Sequence, residues 1–115
     1  MVKSVLSSNY QGLRDWVVQR VTAIIMAIYA VGLAVYLLVH PSLSFAEWHH
    51  LFSINSMKIA TILAIVCVLK HAWVGMRTVF TDYIKCTILR GILNVVVWVG
   101  LFACFFWALL ILWSV

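Results

Sequence analysis

Three long apolar runs leave this chain few ways to fold: Val21 to Val39, roughly Met57 to Phe80, and Ile88 to Trp113. Each can cross the hydrocarbon core of a bilayer, which takes about 20 residues at the rise of an α-helix. Backbone groups in lipid must be satisfied internally, so only helices or closed barrels span membranes. None of the runs alternates apolar and polar residues as barrel strands do. The sequence therefore predicts an all-α membrane protein, a single domain over residues 1–115 with three transmembrane helices near 17–39, 57–82 and 88–113. Composition agrees. The 115 residues are 66% hydrophobic and 10% charged, where a soluble domain runs near half apolar and about a quarter charged.

The first run is not read as a signal peptide. It starts only after Arg20, is too long for a cleaved apolar core, and is followed by His40-Pro41-Ser42 where a small-residue cleavage site would be needed. The expectation is a retained first helix and, lacking an Arg- and Ser-rich presequence, a bacterial inner-membrane protein. Residues 1–9 read as polar and loosely held, with Trp16 at the interface and Arg20 at the water boundary. Between the first two runs, Ser44-Phe45-Ala46-Glu47 has the spacing of a capping box, which predicts a short surface helix. The connection from Asp82 to Thr87 is short, so the second and third helices are antiparallel neighbours.

Lys3, Arg14, Arg20, Arg77, Lys85 and Arg90 fall on or near one side of the membrane, while the other side has only Lys58. The positive-inside rule then places the N-terminus in the cytoplasm and the C-terminus in the periplasm. The net charge of +5 follows from that rule and is no sign of nucleic-acid binding, since no basic cluster is interleaved with aromatics outside the membrane. Cys67, Cys86 and Cys104 form no C-x-x-C pair, which argues against a zinc site or a disulfide framework.

Ionisable residues within a span are costly and need a reason. The second helix holds Lys70, His71 and Arg77, with Asp82 and Tyr83 at its cytoplasmic end. At about 100° per residue, Ala64, Gly75, Thr78 and Asp82 lie within roughly 40° of His71. This face reads as a shallow wall for a flat macrocycle, with His71 offering a nitrogen. The competing reading is an interhelical hydrogen bond, which polar side chains in membranes often make. Lys70 and Arg77 share another stripe. Arg77 reads as a snorkelling residue, and Lys70, at mid-bilayer, has no ready explanation. Asp82 and Tyr83 are either an ordinary interfacial pair or a carboxylate and phenol placed where a lipid-soluble substrate docks.

The run HAWVGMRTVFTDYIK resembles the signature of the small hydrophobic anchor subunits of succinate dehydrogenases, in which a histidine is followed after ten residues by Asp-Tyr. The earlier run GLRDWVVQRVTAI is similar to the family's second pattern at Gly12, Asp15, Arg20, Thr22 and Ala23, and the ending Leu112-Trp113-Ser114-Val115 also agrees. The resemblance covers nearly the whole chain. It implies that His71 is an axial ligand of haem b iron and that Arg20 pairs with a haem propionate. It further implies that Tyr83 hydrogen-bonds ubiquinone and that Asp82 supports the quinone site. Lys70 departs from the family, where an apolar residue is expected.

The implied partners are a second membrane anchor subunit, an iron–sulfur subunit and a flavoprotein subunit. His40, His49 and His50 lie about 15 Å or more of helix rise from His71, and three helices are too few to enclose a porphyrin. A second axial ligand must therefore come from another chain. The sequence has no nucleotide fingerprint and no cysteine cluster for iron–sulfur ligation, so it is not catalytic alone. Its part is to position a cofactor. Two readings stand against this one: a haem-free structural or assembly protein, and a small pore. The pore would need a polar stripe continuing through at least two helices, and the first and third carry no ionisable residue within their spans. An anchor of a fumarate-reducing complex is a variant of the leading reading.

The topology is open to direct test. A reporter fused after Lys85 should behave as cytoplasmic and one near Glu47 as periplasmic; the reverse pattern would overturn the orientation.

Overall fold

The computed structural model describes residues 11–115, together with the backbone course of the first helix. Four helices follow one another: α1 (Val2–Val39), α2 (Phe45–Ser53), α3 (Asn55–Tyr83) and α4 (Thr87–Ser114). Three segments are long and apolar enough to span a membrane, namely Gln11–Val39, Asn55–Tyr83 and Thr87–Ser114. At about 1.5 Å per residue each exceeds a hydrocarbon core, so its polar ends reach the headgroups. Residues 2–9 continue α1 as helix; how tightly their side chains are held lies outside the described residues.

The short surface helix forms where the capping box predicts it. Ser44 Oγ accepts from the Glu47 backbone N–H at 3.2 Å, and the Ser44 backbone N–H donates to Glu47 Oε2 at 2.9 Å. Two of the otherwise orphaned donors at the helix start are thereby satisfied. A single extended residue, Ile54, then turns the chain from α2 into α3. At the opposite end, α3 stops at Tyr83 and Ile84–Cys86 lead directly into α4.

α3 lies at the centre. It packs against α1 on one side, α4 on the other and α2 near its N-terminal end. The two sides are built differently. In lipid there is no hydrophobic drive between spans, so association rests on close packing and hydrogen bonds. Against α4 the contact is apolar and aromatic, with Trp73 edge-on to Trp98 at 5.6 Å between ring centroids, while Trp98 tilts against Phe102 of its own helix at 5.2 Å. Against α1 it is polar. Asp15, Thr22 and Tyr29 recur every seven residues along one stripe of α1, and each meets a polar partner on α3. Arg77 Nη2 donates to Asp15 Oδ2 at 2.6 Å, Thr22 Oγ1 is 3.0 Å from His71 Nδ1, and Tyr29 Oη is 2.8 Å from Thr61 Oγ1.

Two expectations need correcting here. Arg77 is not merely a snorkelling residue, because it forms an ion pair with Asp15 that ties α1 to α3. Nor does the stripe of small residues form an open wall. Ala64 is buried, and Gly75 lies under Gln19, whose Nε2 would sit 3.7 Å from an added Cβ. Small residues are there to let α1 approach α3.

Both members of the Asp15–Arg77 pair keep nearly a third of their side-chain surface exposed, at 29% and 30%, so the pair is partly screened. Asp15→Asn or Arg77→Met should each destabilise the assembled protein by about 1–2 kcal/mol. The double variant should lose less than the sum of the two. Thermal unfolding of the detergent-solubilised complex measures this, and strictly additive losses would show that the pair has no coupling.

Candidate functional site

His71 sits on the fourth turn from the C-terminal end of α3, twelve residues before Tyr83 and therefore about 18 Å from it along the axis. Its ring is half-buried. Nδ1 is in contact with the Thr22 hydroxyl, and Thr22 itself is only 7% exposed. Nε2 makes no hydrogen bond among the described residues. The ring is thus held from one side and open on the other. The interhelical hydrogen bond that competes with cofactor ligation in a reading of the sequence exists, but it uses one nitrogen and leaves the second.

The remaining histidines stand apart. His40 stacks on Tyr36 at 4.4 Å and its Nδ1 lies 3.1 Å from the Tyr36 carbonyl oxygen. His49 and His50 ride on α2, beyond Asn55, which is itself sixteen residues and about 24 Å from His71. Among the described residues no cluster of three or more metal-binding side chains occurs. The donor set therefore fits one axial ligand of a haem and no more.

Asp82 and Tyr83 close α3 at its C-terminal end. Both are exposed, Tyr83 by 80%. Neither the carboxylate nor the phenol has a partner among the described residues, so this end of α3 presents an acceptor and a donor outward. The helix stops there because Ile84 turns extended while its N–H bonds the Phe80 carbonyl at 3.0 Å.

Arg20 is not brought to His71. It lies about 160° around α1 from Thr22, on the exposed side, with its guanidinium 5.3 Å from the centroid of the Trp16 ring. Lys70 also stands clear of the histidine's contacts. It lines an apolar groove between α3 and α4 of about 300 Å³, beside Trp73, Trp98, Phe102 and Phe105. Of the three acidic side chains in the chain, Asp15 pairs with Arg77 and Glu47 caps α2. Asp82 lies about 18 Å along the helix from Lys70.

The residue that sequence reading left without a role is Thr22, together with its companions Asp15 and Tyr29. The signal was present. Three hydrogen-bonding side chains at intervals of seven, entering a span otherwise apolar, mark one face for a polar seam.

Fold and site together define a class: a multi-pass membrane protein of three spans that offers one histidine at mid-depth and an Asp-Tyr pair at one end. Residues 5–110 match the family described as succinate dehydrogenase/fumarate reductase transmembrane subunit. The chain is 48% identical over 106 residues, 92% of each sequence, to the succinate dehydrogenase hydrophobic membrane anchor subunit of Coxiella burnetii. It is 30% identical to the protein of the same name from Rickettsia felis, over 81% of this chain and 78% of that one. The corresponding Rickettsia bellii protein is 32% identical over 78% and 72%. The chain belongs to this family and is a membrane anchor subunit of the succinate dehydrogenase type, a multi-pass protein of the bacterial inner membrane.

Proposed function

We propose that this anchor, with a second membrane subunit, holds haem b and forms part of a ubiquinone-reduction site. The observation that carries the reading is the half-open His71 ring, fixed through Nδ1 and free at Nε2. Haem b bound there supplies one-electron redox chemistry. The chain's own contribution is ligation and placement. His71 offers its nitrogen from the rigid middle of α3, and the second anchor subunit offers the opposing ligand. Arg20, exposed at the headgroup end of α1, can release Trp16 to meet a propionate.

The quinone end follows from α3 itself. Tyr83 directs a phenol from the last helical residue, where the ring can stay among lipid chains and the hydroxyl can donate to a quinone oxygen. Asp82 beside it can accept and deliver protons from the cytoplasmic side. An iron–sulfur subunit and a flavoprotein subunit dock on that same face, where the N-terminus and the α3–α4 turn lie, and provide electrons from succinate oxidation. This is the step that joins the tricarboxylic acid cycle to the electron transport chain.

Removing only the phenolic hydroxyl tests the quinone role. In the Tyr83→Phe complex, electron transfer from succinate to ubiquinone should fall about 3- to 10-fold, as expected for one hydrogen bond worth about 1 kcal/mol. Succinate oxidation by a water-soluble artificial acceptor should be unchanged. A normal quinone-reductase rate would leave Tyr83 as an interfacial anchor and nothing more.

A further inference from the structure

The contact between Thr22 and His71 carries information about where protons lie. A hydroxyl has one proton to give. Thr22 Oγ1 is 2.7 Å from the Val18 carbonyl oxygen, four residues back on its own helix, and 3.2 Å from that of Gln19. The contact with His71 Nδ1 is 3.0 Å. The other threonines within spans behave alike. Thr61, Thr78 and Thr81 each donate at 2.8 Å to the carbonyl four residues back, on Met57, Val74 and Arg77. Back-bonding of this kind is the usual habit of threonine inside a helix. At Thr61 the consequence is visible, because Tyr29 can then only donate to it.

The same bookkeeping applies one seam position away. With its proton given to Val18, the Thr22 hydroxyl can only accept, and His71 Nδ1 must carry the hydrogen. A neutral imidazole has one N–H, so Nε2 is then the bare nitrogen. We propose that Thr22 is a positioning residue: by accepting the Nδ1–H it fixes the His71 tautomer and ring angle that present Nε2 as a ligand to haem iron. The inference rests on the haem reading above and adds to it the group that selects the nitrogen. Such an acceptor behind a ligating histidine raises the basicity of the ligand, and its loss typically costs about 10- to 100-fold in affinity.

The experiment uses the whole purified complex. Thr22→Val keeps the branched shape within the α1–α3 contact and removes the acceptor. Haem transfer to excess apomyoglobin should be at least about 10-fold faster than in the parent complex. The haem midpoint potential should move upward, and the low-spin electron paramagnetic resonance signal should change its g values as the ring is freed to rotate. Thr22→Ser should restore all three. Tyr29→Phe, which removes the neighbouring bond of the same seam, should lower thermal stability and leave the haem signal as it is. If Thr22→Val does not assemble, Thr22→Ala gives the same readout without added bulk. An unchanged potential and signal in the acceptor-free variant, with haem present, overturns the role of Thr22 alone. A parent complex isolated without haem overturns the ligand reading on which it rests.

Discussion

The polar seam between α1 and α3 is the constraint on which the rest of this structure depends. Lipid tails are as apolar as leucine, so burying the outer faces of these helices against one another gains little. What separates one arrangement from its rotated alternatives is that a polar group turned to lipid costs several kcal/mol. Asp15–Arg77, Thr22–His71 and Tyr29–Thr61 satisfy three such groups on each helix together. They fix the rotation of α3 about its axis and its depth against α1. That in turn decides which way His71 looks.

The remaining surfaces read as those of a part rather than a whole. The described residues bury very little: Ala64, Cys67, Val74, Phe80 and Leu112 are the buried apolar side chains. α4 meets α3 through the edge-on contact of Trp98 with Trp73 and, among the described residues, without a hydrogen bond. The candidate site residues are not enclosed: His71 is half-buried, Asp82 and Tyr83 are exposed at the end of α3, and Arg20 is exposed on α1. A protein whose reactive positions are displayed rather than enclosed depends on neighbours to complete them. This accords with an anchor subunit of a larger enzyme, in which each chain brings one wall of a shared site.

Much of this was legible from residue order. Span number follows from length and apolar content, and α2 from the reciprocal spacing of Ser44 and Glu47. The placing of Asp82 and Tyr83 at the end of the second span was legible as well. What could not be read was how the helices are turned toward one another. The stripe holding Ala64 and Gly75 looks the same whether it clears room for a cofactor or for a neighbouring helix, and here it admits α1. Arg77 looked self-sufficient at a headgroup boundary because its partner lies 62 residues away on another helix. Helical phase gives faces of single helices. Pairing of faces is tertiary information, although the seven-residue recurrence of Asp15, Thr22 and Tyr29 pointed to one of them.

On the proposed function, His71 is the single haem ligand this chain contributes, opposite a ligand from another subunit. Low-temperature electron paramagnetic resonance of the oxidised complex, purified with all its subunits, tests it most directly when the parent is compared with His71→Ala. The parent should show a low-spin haem b with two nitrogenous axial ligands. In the variant that signal should vanish or become high-spin, as one ligand is left on the partner. An assembled His71→Ala complex that keeps the parent's low-spin signal would contradict the account.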